Sequence, residues 1–568
     1  MTFTAVVSGE TAITARGPLK EAAERVIGRL WIDEVPVRLA SEDPSLWPSA
    51  ADADAEGRTL CWPAQPGPGR AVLDRAEQLR EQVRADGLTE VALLGRGAPA
   101  RAAEVIAAAH RLAAASADAA AGGPGPRDAD AASAVPPPPE PLTAPPITVL
   151  DGPEPGPLLR IRDDRERLGR TVIVVTGTDP GTDTLRRVLA RMLGELDLSP
   201  AEIARRFVVV AEPDSAPAKI AREAGHPLIE APAPTAFGAL SPYALVPAVL
   251  AGADVRRLLD AATAMLPSLT RPEQNPGLVL GALLGGAVRT GRRTAVLGGY
   301  PAALPGLASW VALLLEEAVP GGIVPVVQEG GLPLVPADDL FLITFDGRPH
   351  QDDATVSGPL AEQLVIWEYA VAVAAHLLER DPLAPRDRTA PAAPDDGTGE
   401  PLFADGDPGR AVEAHTSVPA LAHTRDLPAL LDGLTGLIRP GGRLMIAAYL
   451  DPDETRGQGD RVRRLAALLA ARCGRPVTVG WGGLRPADAD EHPDGGVYLL
   501  LTGNVVRDVP VPDRHHGLGR LQLARALGDA RALRAANRPV VRLHLRNRWA
   551  GLARLLDSAR EDSTVGGK

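Results

Sequence analysis

Residues 171–196 read TVIVVTGTDPGTDTLRRVLARMLGEL. The β-branched and apolar run Thr171–Val175 gives way to a Thr/Gly-rich loop, and then to the Leu/Arg-rich stretch Thr184–Leu196. A short continuous apolar run bounded by turn residues predicts a strand buried on both faces. The longer stretch predicts a helix laid over it. The loop between them carries hydroxyls at Thr176, Thr178, Thr182 and Thr184. Free backbone N–H groups, hydroxyls and a helix dipole together can cradle a phosphate. The same loop also reads as a plain helix start capped by Thr182 or Asp183.

This strand–loop–helix unit recurs along the chain. Buried strands are predicted at Val91–Leu94, Ile147–Leu150, Phe207–Val210, Thr294–Leu297, Leu340–Thr344, Leu444–Tyr449 and Val497–Thr502. Helices are predicted between them, among them Ala100–Ala113, Tyr243–Leu266, Pro276–Arg289, Gly306–Glu317, Pro359–Arg380 and Gly519–Ala535. Such alternation predicts an α/β fold of parallel sheets flanked by helices, arranged as two tandem doubly wound units that divide near Pro267–Asn275. Ligands of doubly wound sheets sit at the carboxyl ends of the strands. That singles out Gly95-Arg96-Gly97, after the strand at 91–94, beside the loop at 176–184. Ala/Pro/Gly-rich segments without an apolar period, 114–146 and 381–412, read as linkers.

Composition narrows the function classes. The 568 residues are 45 % apolar but only 3 % aromatic, so Ala, Leu and Val must build the cores. A net charge of −12 argues against a nucleic-acid partner, which needs a concentrated basic face. Lys20, Lys219 and Lys568 are the only lysines, so nearly every cation is an arginine. Cys61 and Cys473 form no CxxC, which excludes a disulfide framework and a cysteine-based zinc site. No metal and no cofactor is expected. MTFTAVVSGE lacks the features of a secretory leader, and no apolar stretch is expected to reach the ~18 residues of a membrane span. The expectation is a cytoplasmic protein with no membrane partner.

Several segments, in order, resemble the glucose-6-phosphate isomerase family, in particular the branch fused to transaldolase or encoded beside it. Asn275-Pro276-Gly277 through Gly285 resembles its NP-x-x-x-LG-x-x-LG helix. Leu240-Ser241-Pro242-Tyr243-Ala244-Leu245-Val246-Pro247-Ala248 resembles LS-x-x-GLVPAAL, and Trp367-Glu368-Tyr369-Ala370 resembles WE-x-A. Leu521–Asp529 with Arg538–Leu545 resembles the closing helix and strand. The resemblance spans roughly Leu88–Leu545. It implies two sugar-isomerase (SIS) domains, at 87–266 and 267–513 with the two linkers inserted. An N-terminal segment 1–86, a closing helix and strand 514–556 and a disordered tail 557–568 complete the chain. It also implies a homodimer, a sugar phosphate as ligand, and aldose–ketose isomerisation through an enediolate, as in glycolysis and gluconeogenesis.

That reaction needs a carboxylate to shuttle a proton between C1 and C2, and donors or cations to hold the enediolate oxygen. By the resemblance the base falls on Glu317, in Trp310-Val311-Ala312-Leu313-Leu314-Leu315-Glu316-Glu317. A ring-opening group falls on His350 by rough position. The phosphate falls on Thr176, Thr178, Thr182, Thr184, Gly95 and Gly97. The surroundings depart from the family pattern. Its enediolate arginine aligns with Ala236, its sugar-site lysine with Asp490 or Glu491, and the phosphate-loop lysine with Gly177. Arg96 and Arg485 are the candidate replacement cations; Arg101 can meet an anion beside Arg96, Arg222 lies near Ala236 in sequence, and His492 is the alternative to Arg485. Glu368, mid-helix, is expected to face a buried arginine, and His515-His516 to lie in a solvated turn. A sugar-phosphate-binding or scaffolding homologue without activity is the alternative reading.

Overall fold

The computed structural model describes residues 5–47, 66–121, 146–299, 304–328, 337–347, 352–383, 399–482 and 496–561. The chain opens with a hairpin of β1 (Ala5–Ser8) and β2 (Thr11–Ala15). Strands β3 (Glu90–Leu94), β4 (Ile147–Leu150), β5 (Thr171–Val175), β6 (Phe207–Ala211) and β7 (Leu228–Glu230) form the first sheet, all parallel, in the order β4-β3-β5-β6-β7. Every residue of β5 and β6 is buried, as expected of strands with helices on both faces.

Strands β8 (Thr294–Gly299), β9 (Val324–Val327), β10 (Leu340–Phe345) and β11 (Ala354–Ser357) build a second parallel sheet. The opening hairpin completes it through antiparallel pairing of β2 with β11. The third sheet is made of β12 (Phe403–Asp405), β13 (Val412–Thr416), β14 (Leu444–Ala448), β15 (Val477–Trp481), β16 (Val497–Gly503) and β17 (Val540–Leu545), in the order β12-β13-β17-β16-β14-β15. The same order of winding appears three times, as β4-β3-β5-β6, β9-β8-β10-β11 and β15-β14-β16-β17. In each, the second strand lies on one side of the first and the third and fourth on the other. The winding reverses there, and crevices open at such points.

The α/β class with helix-flanked parallel sheets is as the sequence predicts, and all eight predicted strands are present within two residues of their bounds. The division of the chain differs. Residues 267–513 contribute to two sheets, and 514–556 supplies a helix and the strand β17 to the third. The N-terminal residues are not a separate segment, because β2 hydrogen-bonds to β11 more than 300 residues away. The helix Gly97–Ala121 runs into the predicted linker at 114–146, because an alanine-rich run propagates a helix readily. Residues 122–145 of that linker and 384–398 of the other lie outside the described residues. In the rest of the second linker, 403–405 is β12. Of the tail 557–568, residues 557–560 finish the helix Arg548–Arg560, and 562–568 lie outside the described residues.

The core centres on the helices Pro276–Arg289 and Leu360–Leu377. Gly277, Gly281 and Gly285 line one face of the first. A Cβ on them would meet Tyr369 at 2.5 Å, Val373 at 2.5 Å and Leu377 at 2.6 Å. Two series, each with a period of four residues, thus lock ridge to groove. Asn275 caps the first helix through Leu278 N–H at 2.9 Å and donates to the Tyr369 hydroxyl at 3.2 Å. Contrary to the sequence expectation, Leu360–Leu377 is long and apolar enough to cross a membrane by length and composition. In the fold, 89 % of it is buried, which is the position of a core helix.

A methyl group at Gly281 would also come within 2.7 Å of the Ala370 carbonyl, a backbone atom that cannot rotate away. Gly281→Ala is therefore expected to destabilise by about 1–3 kcal/mol of overpacking, partly offset by a helix-propensity gain of up to about 1 kcal/mol. A thermal midpoint equal to or above that of the unmodified chain would show that the two helices can separate at no cost.

Candidate functional site

The carboxyl ends of β3 and β5 form the reversal point of the first sheet, and three loops converge there. The first is Gly95-Arg96-Gly97, where the chain leaves β3 and enters the helix Gly97–Ala121. Gly97 sits at φ +81°, in the left-handed region. Its missing side chain makes room for Glu317, whose Oε1 would lie 2.6 Å from a Cβ there. Glu317 ends the apolar helix Leu307–Ala318 and is 5 % exposed. Its Oε2 accepts a hydrogen bond from Ala98 N–H at 3.0 Å. A carboxylate thus meets the N-terminal end of a 25-residue helix, where unpaired N–H groups and the helix dipole favour negative charge.

The second loop follows β5. Its helix begins at Pro180 and its N-cap is Asp179, not Thr182 or Asp183, because the Asp179 backbone is extended and its side chain reaches forward. Asp179 accepts from Gly181 N–H at 2.9 Å, Thr182 N–H at 3.2 Å and the Thr182 hydroxyl at 2.8 Å. Two of the other hydroxyls also have partners within the fold. Thr176 donates to the Leu94 carbonyl at 3.3 Å and Thr184 to the Pro180 carbonyl at 2.9 Å. Thr178 is exposed. The Arg96 guanidinium stands 3.8 Å from Asp179. Burial alone would raise the Asp179 carboxyl. The Arg96 charge and the hydrogen bonds from Thr182 and Gly181 outweigh it and hold the group below the ordinary carboxylate range.

The third loop, 234–241, includes Ala236. Gly238 presses on Pro99 of the first loop, so closely that a Cβ would come within 2.5 Å of its ring. Glu368 reaches this loop from the central helix and accepts from Ala239 N–H at 2.8 Å. Its partner is a backbone N–H rather than the expected arginine, because the loop folds directly over the buried helix. Burial without a countercharge pushes its carboxyl up to about 8, slightly lowered by the Ala239 bond.

The structure therefore brings Glu317, Arg96, Gly95, Gly97, Thr176 and Thr182 to one crevice. His350 and Arg485 lie outside the described residues, as do Asp490, Glu491 and His492. Arg101 pairs with Glu104, one helical turn on, and Arg222 pairs with Glu230 at 2.6 Å. His515 is exposed, in a turn. Among the described residues, no group of three His, Cys, Asp or Glu side chains is placed to hold a metal ion. The sequence pointed to Thr182 or Asp183 as the cap, and Asp179 holds that place instead. An Asp immediately before Pro-Gly at a helix start was the available signal.

No protein-family model matches the chain, and no curated protein matches it. Among solved structures it is similar to a glucose-6-phosphate isomerase from Chlamydia trachomatis. That likeness is at 11 % identity and a TM-score of 0.47, over 67 % of this chain and 86 % of that one. It is also similar to a hypothetical protein from Thermus thermophilus, at 15 % identity and a TM-score of 0.39, over 96 % of this chain and 92 % of that one.

Glu368 titrates far above an unfolded glutamate. Between about pH 4.5 and 8 the folded state binds a proton that the unfolded chain has lost, so stability falls as pH rises through this window. Glu368→Gln keeps an acceptor for Ala239 and removes the titration. At pH 8 it is expected to be more stable than the unmodified chain by on the order of a few kcal/mol, with the difference vanishing toward pH 4.5. Parallel denaturation curves with the same offset at both pH values would contradict a buried, protonated Glu368.

Proposed function

We propose that this chain is a phosphosugar-isomerase-like protein whose aldose–ketose isomerisation of glucose 6-phosphate and fructose 6-phosphate is weak or lost, and whose crevice serves binding or scaffolding. The observation that carries this reading is the Asp179 carboxylate. It accepts from Gly181 N–H, Thr182 N–H and the Thr182 hydroxyl, the donors a phosphate would take at this helix start. An incoming phosphate must displace an anion that belongs to the chain. At about 4 Å, each pair of like unit charges costs about 1 kcal/mol in water and about 4 kcal/mol at a partly desolvated surface.

The cation side supports the same reading. The enediolate arginine is replaced by Ala236, and Arg96, Arg101 and Arg222 each face a carboxylate. Loss of one positioned oxyanion donor typically lowers turnover about 10²–10³-fold. The opposing observation is Glu317, a buried carboxylate at the crevice where the resemblance puts the catalytic base. It favours residual catalysis as the second reading.

Conversion of fructose 6-phosphate to glucose 6-phosphate by the purified chain, beside Glu317→Gln, separates the two. Both proteins are expected at background. Turnover in the ordinary enzyme range of about 1–10³ s⁻¹ that is lost in Glu317→Gln would overturn the proposal and make the chain an isomerase that has rebuilt its cation site.

A further inference from the structure

The third sheet holds a polar cluster that the crevice does not use. Strand β17 reads Val540-Val541-Arg542-Leu543-His544-Leu545. Val541, Leu543 and Leu545 enter the apolar core on one face, so Arg542 and His544 point to the other. Register brings partners to that face. His415 and Glu413 of β13 stand opposite Arg542 and His544, and Thr502 of β16 stands beside His544. Arg542 is 3 % exposed, Thr502 1 % and His415 9 %.

The hydrogen bonds of this cluster leave donors over. Asn504 Oδ1 lies 3.0 Å from His544 Nε2, and His544 Nδ1 lies 3.0 Å from the Thr502 hydroxyl. Arg542 Nη1 reaches the same hydroxyl only at 3.5 Å. Among the described residues, Arg542 Nε and His415 Nε2 are buried and have no hydrogen-bond partner. The carboxylate of this face, Glu413, is engaged by Arg546 at 2.6 Å and stays 3.9 Å from His415 Nε2. Arg534, exposed on the helix Leu518–Ala535, adds positive charge. A buried guanidinium with an orphaned N–H and no carboxylate within bonding distance is costly unless an anion completes it.

We propose that Arg542 Nε and His415 Nε2 are the core of an oxyanion-binding site of the phosphate class, with Arg534 at its rim. The site is separate from the crevice at the first sheet. Among the described residues neither arginine forms an ion pair with a carboxylate, and two such cations suit a doubly charged oxyanion better than a singly charged carboxylate. Free phosphate and the phosphoryl group of an ester share this chemistry.

Isothermal titration of the full chain in phosphate-free buffer, with inorganic phosphate in one arm and fructose 6-phosphate in the other, tests the site. Saturable binding of inorganic phosphate is expected, weakened at least tenfold in Arg542→Gln. His415→Asn serves as the second variant should Arg542→Gln fail to fold, and the same weakening is expected there. Equal binding in the ester arm would place a phosphoryl ester in the site, and binding confined to the first arm would place free phosphate there. Absence of saturable binding would overturn the proposal. So would unchanged binding in both variants, or a loss of binding in Arg96→Gln instead.

Discussion

Three glycines at four-residue intervals let the helix Pro276–Arg289 lie directly against Leu360–Leu377, and the remaining architecture is arranged around that contact. Close approach of two backbones removes the volume that side chains would fill, and few voids remain in an interior packed at crystal density. The consequences run outward. Tyr369 is fixed by Gly277 on one side and by the Asn275 side chain at its hydroxyl. One residue earlier, Glu368 is aimed at the loop 234–241 and holds it over the first sheet. The helix that carries Glu317 packs between this core and the helix Gly97–Ala121, which delivers the carboxylate to Ala98.

The two polar regions differ in how their charges are balanced. At the first sheet each strong group has a partner in the chain: Glu317 meets a helix start, Asp179 caps another, and Arg96 faces Asp179. A crevice balanced in this way admits a phosphate only where the ligand displaces Asp179 from its donors. At the third sheet the balance fails. Arg542 is buried more deeply than Arg96, yet Glu413, the carboxylate near it, is directed to Arg546. The two histidines are held neutral, at about 4, by burial and by the neighbouring Arg542 charge, so they offer N–H groups without adding repulsion between cations.

Ionic contacts tie the three sheet units together. Arg160, beyond β4, grips Asp451 at the end of β14, with its second nitrogen 3.1 Å from the carboxylate, and Glu154 pairs with Arg548 at 2.9 Å. Arg475, ahead of β15, forms a forked pair with Asp339, ahead of β10. Most of these groups are substantially buried, where desolvation cancels much of the attraction. Their value lies in geometry, because a planar guanidinium facing a carboxylate permits one orientation between units.

The sequence by itself determined the class of the fold. Runs such as Thr171–Val175 and Phe207–Val210 are too uniformly apolar to be anything but strands covered on both faces, and the loops after them had to be where polar groups gather. It also marked Glu317 and Gly97, though not that they touch, because 220 positions of chain separate them and periodicity carries no information about such distances. What escaped were the pieces whose identity depends on partners. The hairpin at 5–15 is a sheet edge only because β11 accepts it, and β7 and β12 are three-residue strands that pairing stabilises rather than propensity. Only the tertiary structure decided that Asp179 occupies the place of an anion. Likewise it alone decided that Glu368 meets a backbone N–H and that Arg542 is buried without a carboxylate. Hydrogen-bond partners and burial are properties of the packed chain, and they set which charged residue is satisfied and which is left over.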